Sequence, residues 1–332
     1  MKSTTKPLAL LLFVPLLTWG NDYVDHEKGQ AFIAELAGQY GYQRDTLVAL
    51  FEQVERDDVI LEKISRPAEK TTPWYRYREI FMDQPRIDNG VAFYQANQSV
   101  LHEAYEKFGV SPEIIVAILG VETRYGKVMG NDSVIRALAT IAFDYPAREP
   151  FFTKELRAFL EMAAQEQFDP LVPKGSYAGA MGMAQFMPSS YLHYAVDYEG
   201  DGKRDLWNNP NDAIFSIANY LAEHGWQRDQ LIFDNANLLS PYAGEYQHRP
   251  FTTLGELKAQ GVLLQSSVAT DDTPVGMLQL DGASGPLTFV TFTNFGVITR
   301  YNTSPMYAMV VTELANAIAN SIPNSVSGTI SN

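Results

Sequence analysis

The chain has 332 residues, 46% hydrophobic and 19% charged, with 39 Asp and Glu against 25 Lys and Arg, a formal net charge of -14 and no cysteine. That length is enough for roughly two or three packed subdomains and a sizeable core. An acidic surface without clustered Lys or Arg argues against nucleic acid or anionic lipid as partner. The lack of thiols excludes disulfides, Cys-ligated zinc, thiol nucleophiles and lipid attachment through an N-terminal cysteine.

Residues 1–20 read as an export signal. Lys2 and Lys6 precede an apolar run from Leu8 to Leu17, and Thr18-Trp19-Gly20 offers a cleavage site, so the mature chain is expected to start near Asn21. The apolar run is short for a bilayer span. From Asp25 to about Phe108 the pattern is helical. Phe32, Ile33, Leu36 and Ala37 recur at helix spacing, as do Leu47, Leu50, Phe51 and Val54. Thr72-Pro73 starts a helix through Tyr77 to Phe81. Pro85 to Phe108 reads as one long helix, weakly broken at Gly90 and ended by Gly109.

The next helix carries the most informative residue. Ser111 is a good N-cap, Pro112 suits the first helical position, Glu113 complements the dipole and Gly126 offers a stop. Nearly everything from Ile114 to Val121 is apolar, and Glu122 shares a face with Ile118, Leu119 and Ile115. Burial disfavours the ionised carboxylate and raises its pKa. A carboxylic acid protonated near neutral pH is what general-acid cleavage of a glycosidic bond requires. The plain alternative is a helix-end Glu paired with a nearby base, but Arg124, two residues on, is a poor helical partner.

Further helices are expected over Ser133–Ala142, Glu149–Glu166, Pro188–Val196 and Asp212–His224. Between them, Gly175, Gly179 and Gly182 crowd a loop that permits close backbone approach to a ligand. From Pro250 to Asn294 the pattern becomes β, with Val275–Leu280 and Leu287–Thr293 flanking a hairpin connection at Asp281–Gly285. Helix is expected again from Pro305 to Ile322, and the Ser- and Asn-rich residues 323–332 are expected to form a flexible tail. The expected class is mainly α (α+β). None of the five histidines has metal-ligand spacing, and neither a Walker loop nor a Gly-x-Ser-x-Gly elbow occurs.

The acidic turn Asp197-Tyr-Glu-Gly-Asp-Gly-Lys-Arg-Asp205 is the metal candidate. Asp197, Glu199 and Asp201 stand at loop positions one, three and five, Gly202 at six, the Lys203 carbonyl at seven and Asp205 at nine. Asn208 replaces the usual bidentate Glu at twelve. The plain alternative is a solvated Asp-Gly turn.

Three segments together resemble the membrane-bound lytic murein transglycosylase B family: Gly120-Val-Glu-Thr-Arg-Tyr-Gly126, the loop from Gly175 to Tyr191, and Ile298-Thr-Arg-Tyr-Asn-Thr-Ser304. They stand in the family's order, and the resemblance covers nearly the whole mature chain. It implies a lysozyme-like helical core (85–142, 171–249 and 295–322), an additional helical domain (21–84 and 143–170) and a small antiparallel β subdomain (250–294). It also implies cleavage of the MurNAc-GlcNAc linkage of peptidoglycan to 1,6-anhydromuropeptides, with Glu122 as single acid and base.

Ser176, Gln185, Tyr220, Tyr301, Asn302, Tyr307 and Tyr77 match the family's cleft residues; the plain alternatives are core packing for the tyrosines, a turn residue for Ser176 and a polar side chain that satisfies backbone for Gln185. The family closes its calcium loop later, at a place matched by Asp212, so the resemblance implies that residues 197–212 are an EF-hand-like structural Ca2+ site, with no organic cofactor. The implied partners are peptidoglycan strands and proteins of cell-wall synthesis or remodelling, and the implied compartment is the periplasm. Membrane-bound members carry a lipid-anchored cysteine, which this chain lacks, so a soluble or signal-anchored form is expected. The rivals are a lysozyme-type hydrolase and a non-catalytic glycan-binding protein.

Overall fold

The computed structural model describes residues 22–65, 72–266 and 269–322; the expected export signal and tail lie outside them. The chain divides into two compact units, ending and beginning at Asp57 and Asp58. In the first, α1 (Glu27–Gln39) and α2 (Arg44–Phe51) pack through the predicted apolar stripes, with the Phe32 and Phe51 rings edge to face at 6.0 Å.

The second unit contains everything that bears on the site. Its helices before the glycine loop are α3 (Asp58–Ser65), α4 (Trp74–Phe81), α5 (Gln84–Ala96), α6 (Gln98–Phe108), α7 (Pro112–Thr123), α8 (Val134–Asp144) and α9 (Glu149–Glu166). Those after it are α10 (Pro188–Tyr194), α11 (Pro210–Glu223), α12 (Leu254–Ala259), α13 (Thr293–Tyr301) and α14 (Pro305–Ser321). Central to the unit is α7, surrounded by α5, α6, α11 and α14, because it is apolar on every side: Ile114 through Gly120 are all buried.

The expected single helix from Pro85 to Phe108 is two helices, and the break falls at Asn97 rather than Gly90. Asn97 leaves the helical region and its Nδ2 donates to the Phe93 carbonyl at 2.8 Å, capping α5. Gly90 instead makes room: a Cβ there would lie 2.5 Å from Ile318 and 2.6 Å from the Tyr125 hydroxyl.

Two short strands, β1 (Asp132–Ser133) and β2 (Lys174–Gly175), pair antiparallel at the mouth of the glycine loop. A five-stranded antiparallel sheet holds β3 (Phe233–Leu238), β4 (Thr252–Thr253), β5 (Val262–Leu264), β6 (Pro274–Gly282) and β7 (Gly285–Thr291) in the order β4-β6-β7-β3-β5. The predicted hairpin is β6–β7, in register from Gly276↔Thr291 to Gly282↔Gly285. Val275, Met277 and Val290 pack on Leu254 and Leu257 of α12, whose start is fixed by a Thr253/Glu256 capping box. The sheet also recruits Phe233–Leu238, upstream of the expected boundary at 250. Helix α13 falls between the expected strand ending at Thr293 and the expected helix from Pro305, a stretch to which the sequence pattern assigns no element. Its Thr, Phe, Val and Ile residues favour β structure locally, but Phe295, Val297 and Ile298 bury as a helical face.

Candidate active site

Glu122 sits in the last turn of α7 and is half-buried, whereas its helix-face neighbours Ile115, Ile118 and Leu119 are fully buried. The helix therefore runs from core to surface and delivers its carboxylate at the exit. It ends two residues before the expected stop at Gly126. Arg124 turns left-handed, and the Tyr125 amide reaches back to the Leu119 carbonyl at 3.0 Å, a Schellman-type closure. Arg124, Tyr125 and Gly126 have φ of 51°, 61° and 83°, three left-handed residues in succession. Non-glycine residues hold that conformation only when their surroundings over-determine it. Tyr125 shows how: its buried hydroxyl donates to the Arg86 carbonyl at 2.8 Å, and its ring lies where a Cβ on Gly120 would be, 2.5 Å from the phenol oxygen.

Tyr307 of α14 donates its hydroxyl to Glu122 Oε1 at 2.6 Å. Burial, and then the negative charge of Glu122, hold the Tyr307 phenol well above its ordinary pKa, so it stays a protonated donor. Tyr77 of α4 is buried and close enough to add to that shift. The Tyr301 ring stacks parallel to Tyr307 at 6.5 Å, its hydroxyl donates to the Ala184 carbonyl at 2.5 Å, and burial and Glu122 raise its phenol too. Tyr220 of α11 stands edge-on to Tyr301 at 4.9 Å and donates to the Arg300 carbonyl at 2.7 Å; its pKa is pushed up to about 12, chiefly by burial. Thus Tyr220, Tyr301 and Tyr307 form one aromatic wall beside Glu122, with Tyr77 near Tyr307, extended by Phe186 and Tyr194, which sequence reasoning passed over.

The polar loop residues act first on their own backbone. Ser176 Oγ accepts from the Ala178 and Ala180 amides at 3.3 and 3.0 Å, and an oxygen that accepts twice keeps its O–H for donation. Gln185 is left-handed at φ 49°, and its amide nitrogen donates to the Met129 and Gly182 carbonyls at 3.2 and 2.9 Å. Asn302 ends α13, and its Oδ1 accepts from the Ser304 amide at 3.0 Å. Thr123 was also missed. Its signal was a β-branched hydroxyl residue buried in the last turn of an otherwise apolar helix.

In the acidic loop, Asp197, Glu199 and Asp212 each bring a carboxylate oxygen to within 4.8 Å of the others. Desolvation works against the Asp197 charge, but hydrogen bonds from the Gly202, Gly200 and Asp201 amides hold its pKa below the ordinary value. The side-chain amides of Asn211 and Asn209 lower that of Glu199. Asp212, only 1% exposed, accepts from the Tyr198 and Asp205 amides at 2.8 and 2.7 Å, yet burial pushes it up to about 6. Asp201 stands outside the trio, its carboxylate turned back onto the Lys203 amide at 2.9 Å. Three converging oxygen ligands, one of them buried and hard to ionise alone, suit a hard divalent cation.

A catalytic-type glutamate at the end of a buried helix, faced by an aromatic wall, in a mainly helical molecule with a small antiparallel sheet defines a lysozyme-like, peptidoglycan-cleaving lytic transglycosylase, a lyase. Residues 25–316 match the Transglycosylase SLT domain, and the chain belongs to that family. It is 39% identical to membrane-bound lytic murein transglycosylase B of Escherichia coli K12 over 312 residues, 91% of this chain and 86% of that one. The E. coli lytic transglycosylase Slt35 in complex with calcium superposes with a TM-score of 0.85 at 40% identity, over 92% of this chain and 96% of that one. Pseudomonas aeruginosa SltB3 in complex with NAG-NAM-pentapeptide gives 0.79 at 32% identity, over 89% and 80%.

Proposed function

We propose that Glu122 is the single acid and base of the reaction, and that the product is a 1,6-anhydromuropeptide. The carrying observation is the Tyr307–Glu122 hydrogen bond of 2.6 Å, which ties a half-buried carboxyl to the aromatic wall. Ordinary glycosidases work with two carboxylates. Asp132, near in sequence, pairs with Lys63 at 3.5 Å, and Asp144 ends α8.

Glu122 protonates the oxygen of the MurNAc-GlcNAc β-1,4 bond as the C1–O bond breaks and the GlcNAc hydroxyl leaves. The carbonyl oxygen of the 2-acetamido group stabilises the cationic C1. Glu122, now a carboxylate, removes the proton from the C6 hydroxyl of the same muramoyl ring, and that oxygen closes on C1. No water is consumed, and Glu122 ends protonated as it began.

Tyr77, Tyr220, Tyr301 and Tyr307 form the aromatic side of the glycan site, Ser176 and Gln185 contact the muramoyl N-acetyl group or the region beside the acid, and Asn302 lies near the Glu122 carboxylate. The SltB3 complex with a NAG-NAM-pentapeptide supports glycan strands as the ligand class. Asp197, Glu199 and Asp212 hold a calcium ion whose part is structural, a reading supported by the Slt35 calcium complex. The protein works in the periplasm; among the described residues no helix is long and apolar enough to cross a membrane. Mass spectrometry of products from purified peptidoglycan tests the mechanism. Anhydro ends, one water lighter than hydrolytic ends, are expected; hydrolytic ends overturn it, and so does a Glu122→Gln variant that cleaves at the parental rate.

A further inference from the structure

We propose that Thr123 is a positioning residue for the acid: its hydroxyl locks the last turn of α7, and with it Glu122, onto the glycine loop. The inference rests on the reading of Glu122 given above and deepens it. Thr123 is 1% exposed and directly follows Glu122. Its Oγ1 donates toward the Met183 carbonyl at 3.0 Å, with the Leu119 carbonyl at 3.3 Å, and accepts from the Gly126 amide at 3.0 Å. A threonine inside a helix ordinarily turns its hydroxyl back to the carbonyl four residues earlier. Here the shorter contact goes to a different segment.

Met183 is itself held in place. Its amide donates to the Leu206 carbonyl at 2.7 Å, and its neighbour Ala184 accepts from the Tyr301 hydroxyl at 2.5 Å. Two consecutive carbonyls of the loop therefore hold the Glu122 turn and the aromatic wall at a fixed spacing. The turn needs such a tether, since the three left-handed residues after Thr123 end the helix before any further turn can brace it. Tyr125 braces the far side through Arg86; Thr123 braces the side facing the loop. A general acid must sit within hydrogen-bond reach of the oxygen it protonates.

The test separates the hydroxyl from the methyl group. Thr123→Val keeps the shape and loses the hydroxyl; Thr123→Ser keeps the hydroxyl and loses the methyl. On a defined peptidoglycan fragment, the valine variant is expected to lose on the order of 10- to 100-fold in kcat, the cost of slight misplacement of a reacting group, with KM nearly unchanged. The serine variant is expected to retain kcat within about threefold, even where its Tm falls further. A packing role alone gives the reverse order, serine the poorer of the two, and overturns the inference. If the valine variant does not fold, Thr123→Ala replaces it, with the same ranking against serine required. Glu122→Gln in the same assay separates the two readings. If it is inactive while the valine variant turns over at the parental kcat, only the inference about Thr123 fails; if it is active, the assignment of the acid fails.

Discussion

The Glu122 cleft and the acidic loop both set acidic side chains beside glycine-bearing backbone, one in the cleft and three in the loop, but they are built at opposite scales. The acidic loop brings its three carboxylates from within sixteen residues, Asp197 to Asp212, and satisfies them with nearby amides. The cleft draws on α4, α7, α11, α13, α14 and the glycine loop, and its Glu122 carboxyl meets a phenol 185 positions away. A local site fixes charge by hydrogen bonds that form as the loop forms. A dispersed site depends on the fold to bring groups together, and so can set a carboxyl against partners that no local loop supplies. The first arrangement suits holding a cation, the second suits acid–base chemistry.

Glu122→Gln tests that division most severely. It is expected to lower turnover on the order of 10²- to 10⁴-fold, the usual worth of a positioned acid or base. Tm should stay close to the parental value, because the half-buried amide keeps the shape and still offers an oxygen to Tyr307. A large Tm loss with activity retained would make Glu122 structural and erase the contrast.

The next effect comes where the two regions touch. Gly182 has φ 67°, and a Cβ there would lie 2.5 Å from the carbonyl oxygen of Leu206, within the acidic loop. Gly182→Ala is expected to cost about 2–3 kcal/mol, combining left-handed strain with overpacking against backbone. Denaturant unfolding measures it; a change below about 0.5 kcal/mol would mean the junction yields easily and the regions are not rigidly joined. Tyr307→Phe sharpens the cleft side alone. Removing the hydroxyl that contacts Glu122 is expected to lower kcat about tenfold, in keeping with the worth of a hydrogen bond to a charged group. The same loss in KM, with kcat unchanged, would make Tyr307 a sugar-binding residue only.

The same difference of scale explains what could be read from the sequence. Most helices followed from apolar spacing and capping residues, and the β6–β7 hairpin from alternation around Asp281–Gly285. Glu122 stood out because one acid ends an otherwise apolar run. In the acidic loop Asp197 and Glu199 were legible from their short spacing and Asp212 only from the family resemblance, while Asp201 folds onto its own backbone instead of joining the trio. Helix α13 was not legible, since its β-branched residues are overridden by burial against neighbours distant in sequence. Gly90 looked like a helix breaker, but it accommodates Tyr125 and Ile318, a contact no local pattern announces. The tether from Thr123 to Met183 spans 60 positions and was hidden for the same reason.

The smallest effect concerns the acidic loop alone, and its sign follows from Asp212. In the folded chain this carboxyl is pushed up to about 6, chiefly by burial and further by the neighbouring Glu199, whereas an unfolded Asp titrates near 3.9. Between these values the native state holds a proton that the unfolded state has released. Without a cation, the contribution of this group to stability is therefore full below about pH 4, declines as pH rises to about 6 and is absent above it. A bound calcium ion requires the ionised carboxylate and so competes with that proton. Calcium at about 100 times its Kd is expected to raise Tm by about 5 °C at pH 7 and by clearly less at pH 5. Asp212→Asn should abolish the gain at both pH values, because the amide cannot supply the missing charge and would turn an N–H toward the Tyr198 or Asp205 amide. An equal gain at both pH values would mean that the cation sits elsewhere, and no gain at pH 7 would reduce the trio to a set of turn-forming carboxylates.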